Sequence, residues 1–205
     1  MTSAPPPAGS GSLPVAVCPE PGSQDPSASF LDALAETAPR LYAWAHVRIR
    51  GDLRRWLEPA DLVQEVAVRA CVRQANYDPA RGCFRAWLFG FANHVWLETL
   101  RELSRAPIGT RRRRGGDSAL GEILESVTSM TQRVARQESL QAAMARLDEL
   151  DDDDRQLASL VGLEGLSHVE AAAVLGIAAD TCRKRWQRLR ERLQGEPALA
   201  AWLQA

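Results

Sequence analysis

Apolar positions along this chain recur at intervals of three and four, the spacing of helices that bury one stripe. The pattern starts at Phe30. Phe30, Leu31 and Leu34 make one stripe, and Leu41, Trp44, Ala45, Val47 and Ile49 continue it beyond Pro39, which predicts a break at the proline and a new helix after it. After a connection over residues 51–59, a helix is expected over residues 60–74 with Leu62, Val63, Val66, Ala67, Ala70 and Cys71 on its apolar face and Pro59 in its first turn. Residues 76–83, NYDPARGC, read as a turn-rich loop. A long helix follows over residues 84–105, with Phe84, Trp87, Leu88, Phe91, Val95 and Leu100 as the stripe and Arg85, Phe89 and Trp96 outside it.

The pattern then lapses. Residues 106–130 hold Pro107, four consecutive arginines and the pair Gly115 and Gly116, and read as a linker. Helical spacing returns over residues 131–147, and the run Asp151 to Asp154 can cap and open a helix ending near Leu163. The C-terminal third carries the clearest local signals. Ser167 followed by Glu170 is a capping box that opens an alanine-rich helix to Leu175. Gly176 supplies a left-handed turn residue, and a second helix runs over residues 179–193. Two helices joined by a short turn containing Gly make a helix-turn-helix.

The expected fold is therefore all-α, with two small helical domains joined by a flexible linker. The domains span residues 28–105 and 131–195, the linker 106–130, and tails 1–27 and 196–205 flank them. The first tail is rich in Pro, Gly, Ser and Ala and is expected to be disordered.

Charge changes the picture through its distribution. The net charge is only −1 from 25 basic and 26 acidic residues, whereas a stand-alone DNA binder usually carries a positive excess. The charge is segregated: residues 111–114 and the last predicted helix are basic, and residues 148–154 are acidic, expected as solvated helix ends. Cys18, Cys71, Cys83 and Cys182 form no CxxC pair and have only three histidines to join them, which argues against a zinc site and for reduced thiols in a cytoplasmic protein. No cofactor is implied. No apolar run reaches membrane-spanning length, and the N-terminus lacks a basic region followed by an apolar core, so neither membrane insertion nor secretion is expected.

Three places carry candidate chemistry. In the last predicted helix Cys182, Trp186, Leu189 and Leu193 form a buried stripe, while Arg183, Lys184, Arg185, Arg188, Arg190 and Arg192 outnumber Asp180 and Glu191 on the remaining surface. Behind a capped helix and a Gly turn, this is the make-up of a helix that enters the major groove; alone it would suit any solvated surface helix. In the helix over residues 84–105, aromatics mixed with Arg85, Asn93 and His94 suit single-stranded nucleic acid, whose bases stack on rings, and equally suit an ordinary core. Asp61, Gln64 and Glu65 cluster at a helix start, either as acids favoured there by the helix dipole or as a protein-docking patch.

Taken together, DLVQE at residues 61–65, YDPARGCFRAWLF at 77–89 and GLSHVEAAAVLGIAADTCRKRWQRLRERL at 165–193 resemble the extracytoplasmic-function (ECF) group of sigma factors in the sigma-70 family. The resemblance implies a bacterial, cytoplasmic transcription initiation factor without catalytic residues, built of sigma regions 2 and 4. It implies that Asp61, Leu62, Gln64 and Glu65 dock on the beta-prime clamp helices of core RNA polymerase. It implies that Asn76, Tyr77, Arg81, Arg85, Trp87, Phe89, Asn93, His94 and Arg101 capture and hold the melted minus-ten strand of promoter DNA. The helix-turn-helix, through Asp180, Thr181, Arg183, Lys184, Arg185, Gln187 and Arg188, would read the minus-thirty-five element and touch the beta flap. An anti-sigma protein is a further implied partner.

The sequence departs from the family pattern at several positions. WLFGFANH stands where WLFRIARN is usual, so Gly90 and Asn93 replace basic residues and His94 takes the usual Asn position. Gly90 costs about 1 kcal/mol of helix propensity. Ala178 replaces a capping Ser, a loss of about 1 kcal/mol, and Cys182 replaces a common Val. Rival readings are a stand-alone helix-turn-helix regulator and a helical adaptor that uses its basic helix for protein contacts. A nucleic-acid enzyme finds no carboxylate cluster, nucleophile motif or metal-ligand set to support it.

Overall fold

The computed structural model describes residues 26–105 and 118–203, and among them all regular structure is helical. Residues 1–25 of the tail expected over 1–27, with Cys18, and the arginine run at 111–114 lie outside the described residues, while Pro26 and Ser27 already belong to the first helix.

Helix α1 (Pro26–Arg48) is continuous through Pro39, where a break was expected. An interior proline costs about 3 kcal/mol. Leu34, Ala38, Leu41, Trp44 and Ile49 around it are all fully buried, and each large side chain contributes roughly 1.5–3 kcal/mol on burial, so packing on both sides of the proline overrides the local preference. Leu31, expected in the stripe, is exposed. A 3-10 turn (Gly51–Arg55) leads to α2 (Pro59–Val72), whose buried residues are the six the spacing predicts.

Helix α3 (Phe84–Arg105) is rotated relative to expectation. Its buried residues are Leu88, Phe89, Ala92, Val95 and Trp96, the i, i+1, i+4, i+7, i+8 stripe that faces a core. Phe84, Trp87 and Phe91 are half-buried on a neighbouring face: Phe84 and Trp87 meet Phe30 and Tyr77 edge-on or tilted at ring separations of 5.2 to 5.9 Å, and Phe91 stacks on Trp87 at 5.9 Å. The helix thus has two apolar faces with aromatic rings on both, Phe89 and Trp96 on the buried one and Phe84, Trp87 and Phe91 on the shallower one.

The expected linker is overturned over its second half. Helix α4 (Ser118–Ala135) begins well before residue 131 and packs on α2 and α1, with Val127, Thr131 and Val134 buried at helical spacing. The helix expected over 131–147 is in turn interrupted after Ala135, and α5 (Glu138–Asp148) starts anew behind Gln137. Asp151 caps α6 (Asp152–Leu157) by accepting from the Asp154 amide at 2.8 Å, and the chain continues into a π-helical stretch (Ala158–Leu163) with every residue buried.

Helices α7 (His168–Leu175) and α8 (Ala179–Leu193) pack on each other across Gly176, which adopts φ +66°. The capping box is formed in both directions: the Glu170 amide donates to Ser167 Oγ at 3.2 Å and the Ser167 amide to the Glu170 carboxylate at 2.9 Å. The last ten residues are not simply a tail. Pro197 opens α9 (Pro197–Leu203), and Leu199, Trp202 and Leu203 bury at i, i+3 and i+4.

Contacts between the N-terminal helices α1 to α3 and the C-terminal helices α5 to α9 are extensive rather than absent. Helix α1 touches α4, α5 and the π-helical stretch, and the buried side chains of both halves form one hydrophobic cluster.

Candidate nucleic-acid interface

On α8 the buried stripe is Cys182, Trp186, Leu189 and Leu193, and Thr181, Arg183, Lys184, Arg185, Gln187, Arg188, Arg190 and Arg192 are exposed. Periodicity alone produces this split, since the polar positions fall between members of a four-residue stripe. Ala178 at the N-cap makes no side-chain cap bond. Asp180 instead pairs with Arg183 at 2.6 Å one turn on.

The cationic face is not empty of counter-charge. Arg185 meets Asp153 at 3.2 Å and Arg192 meets Asp154, so the opening acids of α6 lie alongside α8 around a cleft of about 510 Å³ that Arg188 also lines. The acids expected to be solvated helix ends are thus paired, and Asp148 and Asp152 reach His46 at 2.9 Å and Arg50 at 3.3 Å on the other half of the chain. Opposite charges at these distances attract.

The second place is the loop before α3. Two 3-10 turns (Gln74–Asn76 and Pro79–Arg81) shape it, and Asp78 caps the second by accepting from the Ala80 amide at 3.0 Å. A cavity of about 460 Å³ opens between Asn76, Asp78, Arg81, Gly82, Ala86 and Trp87. Asn76 and Arg81 are exposed and Trp87 is half-buried at its edge, so an apolar ring, a cation and an amide converge on one hollow. Tyr77 is half-buried against Phe84 and Trp87. Along α3, His94 and Arg101 are exposed.

Three candidates on α3 stand differently. Phe89 is buried at 2% exposure, edge-on to Trp44 at 6.0 Å, because it belongs to the core stripe; it has no face open to a base. Asn93 donates to the Phe89 carbonyl and to Glu164 Oε2, both at 3.0 Å. The Arg85 guanidinium lies against Gly165, a glycine at φ +81° whose place a Cβ could not take without coming within 2.5 Å of it.

The third place is the start of α2. Glu65 is exposed and accepts from Arg69 at 2.6 Å, Asp61 is half-buried, and Gln64 donates to Thr128 Oγ1 of α4 at 2.6 Å. Leu62 is buried at 1% exposure and belongs to the core rather than to a docking surface, since it lies on the apolar stripe of α2. Arg69 also pairs with Glu98 of α3, and that hydrogen bond holds the Glu98 carboxyl below its ordinary range. Sequence reading missed Glu164, where four donors from α1, α3 and the π-helical stretch converge; a single Glu between glycine and leucine carries no periodic or motif signal.

The model of the ECF sigma factor family matches residues 32–198, which takes in all three places. The chain belongs to the ECF sigma factor family. A relative, the ECF RNA polymerase sigma factor EcfG of Rhodopseudomonas palustris (strain TIE-1), is 33% identical over 165 residues, 80% of this chain and 83% of that protein. A solved structure of CnrH in complex with the cytosolic domain of CnrY is 27% identical and covers 89% of this chain and 90% of its own, at a TM-score of 0.37. As an ECF sigma factor the chain is a transcription initiation factor that directs RNA polymerase to promoters. No helix among its described residues is long and apolar enough to cross a membrane.

Proposed function

We propose that this sigma factor reads a bipartite promoter, with α8 in the major groove of the minus-thirty-five element and the hollow before α3 holding an unpaired base of the minus-ten element. The observation that carries this reading is the division of α8 into a fully buried stripe and an opposite face of exposed Arg and Lys, mounted on a capped helix and a left-handed glycine. Asp180, Thr181, Arg183, Lys184, Arg185, Gln187 and Arg188 supply the duplex contacts. Arginine suits guanine and phosphate through its planar fork of donors.

For the minus-ten strand, Asn76, Arg81 and Trp87 line the hollow, and Arg85, Asn93, His94 and Arg101 follow along α3. Base capture there supplies part of the free energy of melting, as stacking on aromatic rings contributes about 1–3 kcal/mol per base. Asp61, Gln64 and Glu65 form the docking patch for the beta-prime clamp helices, and the helix-turn-helix also meets the beta flap. An anti-sigma protein as a further partner rests on family membership alone.

The test is transcription in vitro by core RNA polymerase from a pool of genomic promoters, with and without the chain. Start sites that require the chain, and that are lost when Arg183, Lys184 and Arg185 are replaced by Ala, are expected. Tight, sequence-specific operator binding without polymerase would instead establish a stand-alone regulator.

A further inference from the structure

Glu164 ends the π-helical stretch with its side chain 3% exposed, and both halves of the chain fill its carboxylate. Oε1 accepts from Trp44 Nε1 at 3.0 Å and from Arg48 at 2.8 Å, both on α1, and from the Ser159 hydroxyl at 3.2 Å. Oε2 accepts from Asn93 Nδ2 on α3 at 3.0 Å. A buried carboxylate is costly unless its lone pairs are filled and a cation is near. Three of these four donors sit on N-terminal helices, so the group is satisfied in its buried position only while the C-terminal helices lie against α1 and α3. The next residue tightens the same contact, with Arg85 packed against Gly165. On the far side α4 lies along α2, and Gln64 is bonded to Thr128.

We propose that Glu164 is the latch of a closed state in which the chain occupies its own working surfaces. The proposal rests on the roles assigned above to Asn93, Arg85 and Gln64: the first two are engaged around Glu164 and Gly165, and the third is engaged under α4. Core polymerase can take the α2 patch only after α4 moves off Gln64, and the promoter strand can take Asn93 only after Glu164 releases it. Opening therefore precedes docking, and apparent affinity for core is reduced by the fraction of chains that are open. A carboxylate with donors from three elements suits this role because it has one seated position, and water replaces the donors once it leaves.

The full chain is compared with Glu164→Ala and Arg48→Ala by small-angle X-ray scattering and by binding to core polymerase, with far-ultraviolet circular dichroism as the check on folding. Arg48→Ala removes one donor from α1 without touching the C-terminal helices, so the test survives if Glu164→Ala does not fold. Both variants are expected to raise the radius of gyration and to tighten core binding by about tenfold. An unchanged radius in the folded variants overturns the latch, and a larger radius with unchanged core binding overturns its inhibitory role. Failure of every form to bind core would overturn the proposal from beneath, by removing the docking reading, and is told apart from latch failure by the wild type alone.

Discussion

Gly162 and Gly90 both sit in helices, and their surroundings give them opposite consequences. A Cβ on Gly162 would come within 2.6 Å of Leu203 Cδ2 and 3.0 Å of the Trp186 ring, so the missing side chain lets α8 and α9 close on the π-helical stretch. Gly162→Ala should lower stability by about 1–3 kcal/mol, the usual cost of overpacking, seen as a lower urea midpoint with unchanged slope. A Cβ on Gly90 would meet nothing within 4 Å. Gly90→Ala should therefore raise stability by about 1 kcal/mol through helix propensity alone; a loss there would mean that the backbone at this point of α3 needs the freedom of glycine. His168 adds a pH term. Burial first, then the positive charges of Arg183 and Arg190, push its imidazole below the ordinary 6.5. The folded chain thus resists protonation more than the unfolded one, and the contribution is complete above pH 6.5 and lost as pH falls through the lower folded value. Urea midpoints of wild type and His168→Asn measured across that window should converge at acid pH, and parallel profiles would remove His168 as the cause.

At the scale of elements, the pairing of α6 with α8 bears on DNA binding. Asp153 and Arg185 are both well exposed, so their ion pair contributes only about 0–1 kcal/mol and a phosphate can displace the acid. Asp153→Asn combined with Asp154→Asn should therefore strengthen binding to random-sequence duplex several-fold at low salt, with the gain fading as salt screens it. Equal affinities at low salt would show that the acids do not compete. The ends of α7 and α8 were legible because each has a local chemical cause: a capping box, a glycine at φ +66° and a four-member apolar stripe. The buried set of α2 was legible for the same reason. Helix α4 was not, because four arginines and two glycines dominate residues 106–130 and mask the helical spacing of Leu120, Ile123, Leu124 and Val127. The rotation of α3 was not legible because apolar residues fill two adjacent faces and spacing alone does not choose between them: Phe89 and Trp96 are in the core, while Phe84, Trp87 and Phe91 are half-buried. Pro39 misled because about 3 kcal/mol of local cost is small beside the core that α1 fills.

For the whole molecule, α1 decides whether the chain behaves as two units or one. Its C-terminal half carries Trp44, fully buried, and its polar positions reach across, Arg40 to the Ala201 carbonyl at 3.2 Å, His46 to Asp148 and Arg48 to Glu164, joined just beyond its end by Arg50 to Asp152. None of these contacts could be read from sequence, since their partners lie about a hundred residues or more away and no periodic signal relates them. A helix shared in this way should couple the stability of α2 to that of α8, although the two helices carry different proposed duties. Trp44→Ala should cost roughly 3–5 kcal/mol as a large core truncation, and it also removes a donor from Glu164. Native-state hydrogen exchange is the measurement that separates the possibilities, because it reports each helix in the same sample. If the chain is one cooperative body, amide protection in α2 and α8 should fall together in Trp44→Ala. Protection lost from α2 and retained in α8 would show instead that the helix-turn-helix stands on its own core of Cys182, Trp186, Leu189 and Leu193, and that closure adds contact without adding stability to it.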